Sequence, residues 1–238
     1  MGLENEFVIR LGVFLGLFVV LALVERVLPR RQMDRAKARR WLTNWAMSFV
    51  NILALRLVAL ALPFLAIGAA LDAQANGFGV LNSFDVPNWI AWGTTILALD
   101  FAIWAQHVVT HKIPVLWRLH PVHHADTEMD VTTAIRFHPV EIAFSMTLKV
   151  GLIYLLGPPA AAVLLFEILL NGSAMFNHAN IRLPLWLDTV LRRVIVTPDM
   201  HRVHHSTDRQ EHDSNYGFFL SIWDHLFATH VPQPKLPH

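Results

Sequence analysis

The sequence contains no cysteine. That absence excludes disulfide bonds, thiolate metal ligands, cysteine-held iron–sulfur clusters and thiol nucleophiles. Charged residues are also scarce, because Asp, Glu, Lys and Arg make up 16% of the chain, against about 25% in a soluble domain. The formal net charge of +1 gives no indication of a nucleic-acid partner. Any bound metal must therefore be held by histidine, carboxylate or water, and the shortage of charge is typical of a membrane protein.

Hydrophobic residues make up 54% of the chain and gather in five long apolar runs. A membrane-spanning helix needs about 20 such residues, so the runs predict an all-α integral membrane helical bundle. The second run is too long for one span, and its first part, 41–51, is a candidate for a helix along the interface. The last two runs flank Gly157-Pro158-Pro159, which predicts a helical hairpin. We expect four or five spans, at 7–28, 41–71, 89–106, 139–156 and 160–176.

Basic residues are distributed unevenly between the apolar runs, and this distribution predicts the orientation. The segment after the first run is rich in Arg and Lys, whereas 72–88 has neither and contains two Asp. The tail after the hairpin is basic again. We therefore expect the basic segment and the tail to be cytoplasmic. The basic residues are Arg30, Arg31, Arg35, Lys37, Arg39 and Arg40 in the segment, and Arg182, Arg192, Arg193, Arg202 and Arg209 in the tail.

Histidine is abundant, with 14 residues, and part of it follows a repeated pattern. The pattern His-x-x-His-His occurs twice, and a His-x-x-x-His pair precedes the first copy. Residues i, i+3 and i+4 share one helix face, so each triplet can aim three imidazoles at a single point. Together with the pair, eight imidazoles could converge, which is enough to hold two transition-metal ions. The eight are His107 and His111, then His120, His123 and His124, then His201, His204 and His205.

Asp100 is an unusual residue inside an apolar run. It lies seven residues before His107 on the same helical face. A carboxylate within the membrane costs free energy, so its presence indicates a partner or a functional role. We interpret Asp100 as an outer residue of the metal site that accepts a hydrogen bond from the free N–H of His107 or a neighbour. The alternative is an ion pair with Arg56 or Lys149 inside the bundle, two residues that are otherwise expected to be structural.

Several single histidines are further candidates. His178 ends the fifth run at the predicted cytoplasmic face, and we interpret it as an added metal ligand. His138 precedes a proline at a helix start, where it either supports the site from outside or caps the helix. His212 is another candidate site residue, whereas His225 and His230 are expected to be ordinary surface or core histidines.

Other metal proteins fit the pattern less well. A zinc protease would carry His-Glu-x-x-His, which is absent. A metal transporter would place its ligands near the bilayer midplane, whereas these lie at one face. A haem protein with bis-histidine ligation uses two or four histidines, which leaves half of these unexplained. Iron held by neutral imidazoles can activate dioxygen, and a site at the membrane boundary gives a lipid access from the bilayer and a reductant access from water.

The stretch from Asp100 to Thr229 resembles the fatty acid hydroxylase/sterol desaturase superfamily of integral membrane di-iron enzymes. The part from Thr197 to Thr229 is most similar to bacterial members and to alkylglycerol monooxygenases. These relatives usually have Gly where this chain has Ala228. The matching pieces are HVVTH at 107–111, HPVHH at 120–124, RFHP at 136–139, TPDMHRVHH at 197–205 and NYGFFLSIWDHLFAT at 215–229.

The resemblance implies a non-haem di-iron oxygenase that hydroxylates or desaturates a membrane lipid. Dioxygen and a separate electron donor, either a redox protein or a reduced pterin, would be its other partners. It also implies that the eight histidines of the three motifs bind two iron ions, and that His178 matches a further family histidine. The alternative is a membrane protein that binds or carries divalent metal without catalysis.

The expected organisation has two parts. Residues 1–88 would form N-terminal transmembrane helices, and 89–238 would form the catalytic domain. That domain would contain the hairpin at 139–176 and a cytoplasmic helical cap that holds the dimetal site. Within the cap, 183–196 has the apolar spacing of an amphipathic helix, either on the membrane surface or packed on the protein. The membrane would be a bacterial inner membrane, or the endoplasmic reticulum in a eukaryote.

Overall fold

The computed structural model describes residues 5–33, 37–62 and 65–235, and these residues form helices joined by turns and loops, with no β-strand. The predicted all-α class is therefore confirmed. Arg35 and His238 lie outside the described residues. Short 3₁₀ helices cover Val80–Asn82 and Val131–Ile135. The α-helices are α1 (Glu6–Val27), α2 (Lys37–Ala61), α3 (Ala66–Ala75), α4 (Asn88–Lys112), α5 (Pro114–Trp117), α6 (Pro121–His124), α7 (Pro139–Leu156), α8 (Ala160–His178), α9 (Leu185–Leu191), α10 (Pro198–His204), α11 (Arg209–His212) and α12 (Ile222–Leu226).

Four segments of the described chain are long and apolar enough to cross a membrane. They are α1, the stretch from Lys37 to Asn82 that contains α2 and α3, and the hairpin helices α7 and α8. The run at 89–106 lies in α4, which is long enough to span but is interrupted by polar residues such as Asp100 and Gln106. The lower of the two expected span numbers therefore agrees with the structure.

The helix ends separate into two ends of the bundle. At one end, which we call the histidine end, the backbone N–H of Arg30 donates to the carbonyl of Asn180 (3.0 Å), just beyond the histidine that ends α8. At the opposite end, Gly157 between α7 and α8 lies close to Phe78. A Cβ added to Gly157 would come within 2.3 Å of the carbonyl oxygen of Phe78. Gly157 has a φ of 65°, a conformation that glycine adopts without penalty. The basic segment and the three histidine motifs therefore share one end, and 72–88 lies at the other.

The apolar core lies between α3, α4, α7 and α8. Leu99 of α4, Ile153 of α7 and Phe166 of α8 are almost completely buried there. Ala69 and Ala70 of α3 are fully buried beside them. Helices in a bilayer gain little by removing apolar surface from lipid, so their association depends on close packing, which small residues permit. This packing holds the C-terminal ends of α4 and α8 in fixed positions at the histidine end.

Arg40 of the basic segment is buried although it is charged. It lies in the first turn of α2 and is 9% exposed. Its guanidinium donates to Asp126 at 2.7 and 2.9 Å and to Asp130 at 3.1 Å. Asn44, one turn further along α2, also donates to Asp126 (2.9 Å). Arg40 is therefore a buried link between α2 and the loop that follows α6, because two carboxylates in that loop need a cation.

The predicted amphipathic segment at 183–196 contains α9. Several of its apolar side chains are exposed, since Leu185 and Trp186 keep 78% and 69% of their surface and Val194 keeps 60%, whereas Val196 at its end is buried. Asp188 is buried instead and pairs with Arg192. The apolar side of this segment therefore faces outward at the histidine end, which agrees with a helix on a membrane surface. The division of the chain into 1–88 and 89–238 stays a prediction.

The turn after α12 contains Ala228, whose φ is 55°. The related superfamily usually has glycine at this position, and glycine adopts left-handed backbone without a clash at Cβ. The turn is closed by a hydrogen bond from the backbone N–H of Thr229 to the carbonyl of Asp224 (2.9 Å). Ala228 is therefore held in a backbone conformation that favours glycine.

We predict that Ala228→Gly raises the free energy of unfolding by about 1 kcal/mol, because it removes the Cβ from a left-handed position. The matched control is Ala161→Gly, at an exposed position in the first turn of α8, which should lower it by about 0.5–1 kcal/mol. Thermal unfolding of the purified protein in detergent measures both. Equal destabilisation by the two changes would show that Ala228 carries no strain.

Candidate metal centre

Four helices position the histidine side chains close together. The last turns of α4 carry the His-x-x-x-His pair, and the last residue of α8 is His178. The two triplets belong to α6 and α10, with His120 as the N-cap of α6 and His205 as the C-cap of α10. These helices begin with Pro121 and Pro198. Proline suits the first helical position because it lacks the N–H that would be unpaired there. Thr197 caps α10 by accepting from the N–H of Met200 (3.4 Å).

Nine histidines form two clusters, and within each cluster one potential ligand atom of every residue lies within 4.8 Å of the others. One cluster has five histidines and the other has four. Eight of these histidines are those of the three motifs, and the ninth is His178. We call them the five-histidine cluster, with His107, His111, His120, His124 and His204, and the four-histidine cluster, with His123, His178, His201 and His205.

Each triplet is divided between the two clusters, so the expectation that one triplet aims at a single point is wrong. His120 and His124 belong to the five-histidine cluster, whereas His123 belongs to the other. The second triplet divides in the opposite sense, with His204 in the five-histidine cluster. The reason is helix geometry: at 3.6 residues per turn, positions i and i+4 differ by about 40° around the axis, whereas i+3 deviates about 60° the other way. A triplet therefore addresses two neighbouring points.

The Nδ1 atoms of four cluster histidines face backbone carbonyl oxygens. His107 meets Tyr216 (2.7 Å), and the other three meet carbonyls at 2.6–3.0 Å. A carbonyl can only accept, so each of these imidazoles carries its proton on Nδ1 and is left with a bare lone pair on Nε2. His120 reaches the same state by donating from Nδ1 to the carboxylate of Glu141 (2.8 Å). The other three pairs are His123 with Arg136, His178 with Ala174, and His204 with Ser214.

These bare nitrogens face one another at short range. The Nε2 atoms of His107 and His120 are 3.0 Å apart, and those of His123 and His178 are also 3.0 Å apart. With both protons on Nδ1, neither nitrogen of a pair can donate to the other, so the two lone pairs repel. Two nitrogens bound at right angles to one cation, with bonds of about 2.1 Å, would have this separation. The arrangement therefore fits a metal ion in each cluster.

Further nitrogens have no hydrogen-bond partner among the described residues although they are buried. Both ring nitrogens of His111, His124 and His205 are in this state. An unpaired buried polar atom costs free energy unless water or a ligand satisfies it. A cation shared by each cluster satisfies one nitrogen of every ring at once. The donor set contains only neutral nitrogen, which suits zinc, copper, iron or nickel.

Five of the triplet imidazoles are uncharged at neutral pH. Burial lowers the pKa of the triplet histidines His123, His124, His201, His204 and His205 well below the ordinary value of 6.5, and neighbouring imidazoles lower it further. A neutral imidazole is the form that binds a metal ion. The clusters are therefore ready for metal without first losing protons.

Asp100 does not accept a hydrogen bond from a histidine, so its predicted role is wrong. Its Oδ2 accepts instead from the indole N–H of Trp223 (2.8 Å) and from the backbone N–H of Leu220 (3.3 Å). The alternative partners are wrong as well, because Lys149 pairs with Glu167 (2.7 Å) and Arg56 is exposed. Asp100 fastens the C-terminal segment to α4, and this segment supplies the Tyr216 carbonyl for His107.

His138 caps a helix, which was the second of its two predicted roles. It is the N-cap residue of α7, and its Nδ1 accepts from the backbone N–H of Val140 (3.2 Å). This hydrogen bond satisfies one of the free N–H groups at the start of α7. The structure gives His138 no place in either histidine cluster.

Three other histidines of the described chain lie outside the two clusters. His212 forms a third group with His111 and Asp213, and its ring stacks on Trp117 at 5.1 Å. It therefore borders the five-histidine cluster on the outside. His225 and His230 lie together with ring centroids 4.2 Å apart, away from both clusters.

Two carboxylates were missed by the sequence reasoning. Glu141 is 8% exposed, and its Oε1 orients His120. Asp224 is fully buried and accepts from the Trp104 indole (3.0 Å) and from the backbone N–H of Tyr216 (2.9 Å). A signal existed for Glu141, because a carboxylate in an apolar run is as unusual there as it is at Asp100. Asp224 lies in the stretch at 215–229 that carries the family resemblance, but the sequence does not show that its partner is the Trp104 indole, 120 residues away.

A cavity of about 230 Å³ adjoins the five-histidine cluster on the side of the bundle. Its wall includes His107 and Glu141 at one end, and it continues between α4, α7 and α8. Apolar side chains such as Phe137, Met146 and Phe218 form much of the surface. A substrate in this cavity would lie inside the membrane-spanning helices with one end against the histidines.

Known proteins are similar to this chain. Residues 92–229 match the family model described as fatty acid hydroxylase. Alkylglycerol monooxygenase of Xenopus tropicalis is 29% identical over 149 residues, which is 60% of this chain and 31% of that protein. An ornithine lipid hydroxylase of Rhizobium tropici is 26% identical over 229 residues, which is 94% of this chain and 67% of that protein. The predicted resemblance, including the similarity to alkylglycerol monooxygenase, is confirmed.

The relatives also differ in size and reaction. The chain spans about a third of the length of the alkylglycerol monooxygenases that it matches. A very-long-chain aldehyde decarbonylase of Oryza sativa subsp. indica is 26% identical over 159 residues, which is 60% of this chain and 25% of that protein. No solved structure matches the chain.

We predict that the metal-free protein loses stability as the pH falls from 7.5 to 5.5. The unfolded histidines take up protons near pH 6.5, whereas the buried triplet histidines resist protonation, so acid favours the unfolded state. Ordinary carboxylates titrate near pH 4 and contribute little in this range. Thermal unfolding across this range measures the effect. A melting temperature independent of pH would contradict the assignment of neutral buried imidazoles.

We also predict that Glu141→Gln weakens metal binding about 10- to 100-fold, because it removes the anionic acceptor that orients His120. The matched control is Asp85→Asn, an exposed acid-to-amide change in the loop at the opposite end, which should leave metal binding unchanged. Competition with a calibrated chelator measures the affinity. Equal affinity in the wild type and Glu141→Gln would remove Glu141 from the site.

Proposed function

Because the chain belongs to the fatty acid hydroxylase family, we propose that it is a membrane-bound oxygenase that hydroxylates a lipid with dioxygen. The activities named for two relatives, alkylglycerol monooxygenase and ornithine lipid hydroxylase, support a lipid substrate and an oxidoreductase. Four candidate membrane-spanning segments support an integral membrane protein. The observation that carries the proposal is the convergence of bare imidazole nitrogens at the end of a cavity between these helices.

The proposed cofactor is a pair of iron ions, one in each histidine cluster. All nine cluster histidines would be ligands, with His178 completing the four-histidine cluster. Bound iron supplies the activation of dioxygen, which imidazoles alone cannot perform. The protein holds the rings in one orientation through the hydrogen bonds to Nδ1 and keeps the site enclosed. His107 and Glu141, which adjoin the cavity, define where the reacting part of the lipid would lie.

The orientation and the electron donor belong to the same proposal. The histidine end carries most of the basic residues, so we place it at the cytoplasmic face of a bacterial inner membrane, or of the endoplasmic reticulum in a eukaryote. Electrons would come from a separate redox protein or a reduced pterin in the cytosol. Desaturation is the same oxidation ending with the loss of a second hydrogen instead of the gain of oxygen, and the proposal extends to it.

We predict that cells producing the wild-type protein contain a lipid with one added oxygen, or with two fewer hydrogens, that is missing from cells producing His123→Ala or His204→Ala. Each change removes a ligand from a different cluster, so each should abolish activity and lower bound metal. Comparative lipidomics and metal analysis of the purified proteins measure both effects. The matched control is His225→Ala, which changes an exposed histidine outside the clusters and should leave lipids and metal unchanged.

The outcomes separate the proposal from its rival. A protein that only binds or carries divalent metal would lose metal in the two cluster variants but would give no lipid difference in any comparison. Near-normal iron in both cluster variants would contradict the ligand roles. Zinc or manganese in place of iron, in protein active as isolated, would contradict the choice of metal.

A further inference from the structure

The cavity beside the five-histidine cluster has a polar stripe along its length. On α7, Glu141, Ser145 and Lys149 line the cavity at intervals of four residues, so they lie on one face of the helix. Glu167 and Asn171 of α8 line it with the same spacing. The α7 stripe covers eight residues, or about 12 Å along the axis. In a cavity that binds only an alkyl chain, so many polar groups within the membrane would cost free energy without contributing to binding.

The stripe offers acceptors that the protein does not satisfy. Glu141 gives Oε1 to His120, but its Oε2 is buried and has no hydrogen-bond partner among the described residues. Gln106, next to the first cluster histidine and also in the cavity wall, has a buried Oε1 in the same state. Both atoms lie at the histidine end of the cavity. A buried acceptor without a hydrogen bond costs free energy. A ligand that carries hydrogen-bond donors would therefore be stabilised at this end of the cavity.

The far end of the stripe offers both donors and acceptors. The ammonium of Lys149 donates to Glu167 (2.7 Å), and Arg10 of α1 lies 3.3 Å from the second oxygen of Glu167. Arg10 is also 3.7 Å from Glu6, so this group of charges is balanced without a ligand. Balanced charges do not select an ion. They suit a group that can both give and receive hydrogen bonds.

We propose that this cavity takes the polar headgroup of a lipid, a group with hydrogen-bond donors, and that the oxidised carbon belongs to the headgroup or lies next to it. The inference rests on the proposed oxygenase function and specifies its substrate class. The acyl or alkyl chain would leave between the apolar residues of the wall, such as Ile103, Met146 and Leu170. Gln106 and Glu141 would receive the donor nearest the histidines. Gln106 acts here as a specificity-determining residue.

Binding to lipid pairs that differ only in their donors tests the proposal. The protein in lipid nanodiscs is incubated with 1-O-hexadecylglycerol, which has two hydroxyl donors, with hexadecylamine, which has an ammonium donor, or with hexadecyl methyl ether, which has none. Retention is measured by mass spectrometry and corrected with empty nanodiscs. At least one donor-bearing lipid should bind about tenfold more tightly than the ether, and the better of the two identifies hydroxyl or ammonium as the donor. Equal retention of all three would overturn the proposal.

A matched pair of variants locates the selectivity. Gln106→Leu removes the unpaired acceptor and should reduce the preference for the donor-bearing lipid several-fold, whereas Gln74→Leu, an exposed position on α3 outside the cavity, should leave it unchanged. An unaltered preference in a folded Gln106→Leu protein would overturn the assignment of Gln106. The comparison of lipids in the wild type stands even if this variant does not fold.

The position of the added oxygen gives a second measurement. In the lipid product, fragmentation should place the oxygen in the headgroup or on the adjacent carbon, and an oxygen near the methyl end of a chain would overturn the proposal. Failure of the proposed function is distinguishable, because binding selectivity needs no turnover. Donor-selective binding without any oxidised lipid would contradict the oxygenase, whereas oxidised lipid without selectivity would contradict only the headgroup site.

Discussion

Hydrogen bonds to the Nδ1 atoms of buried histidines determine the chemistry of the whole histidine end. His107 depends on the carbonyl of Tyr216, and His204 depends on the carbonyl of Ser214. Each bond fixes the tautomer, and the fixed tautomer points a bare nitrogen at its neighbours. Without a cation, the facing lone pairs repel and the buried nitrogens lack partners. The rest of the fold is a frame that keeps those carbonyls in place.

That frame extends well away from the histidines. Asp224 accepts hydrogen bonds from the backbone N–H groups of Tyr216 and Gly217 and from the indole N–H of Trp104. These bonds fix the loop that carries the carbonyl for His107. Asp100 ties Trp223 of the same segment to α4. On the other side, Arg40 holds the loop after α6 through Asp126. Buried carboxylates are costly in isolation, and each of these three accepts from at least two donors, which makes the frame specific.

The sequence predicted the helices and the histidines that come together better than it predicted the contacts between them. Helices and the hairpin follow from long apolar runs and from Gly157, and nine histidines were identified from spacing and position. The division of His120 and His123 between clusters was missed, because spacing along a helix does not say where the partner helix lies. Asp100 was misassigned for a related reason: an intramembrane carboxylate signals that a partner exists, but the partner, Trp223, is more than 100 residues away. Such long-range pairings depend on tertiary packing.

The sharing of both triplets between the two clusters has a consequence for biosynthesis. His120 and His123 leave the ribosome before the hairpin of α7 and α8, whereas His201 and His204 leave after it. Each cluster contains residues from both groups, so neither can close until the hairpin has been inserted and the tail has folded back against α4. Completion of either cluster is therefore a late event in folding, and a chain that ends before residue 201 holds only part of each set of imidazoles.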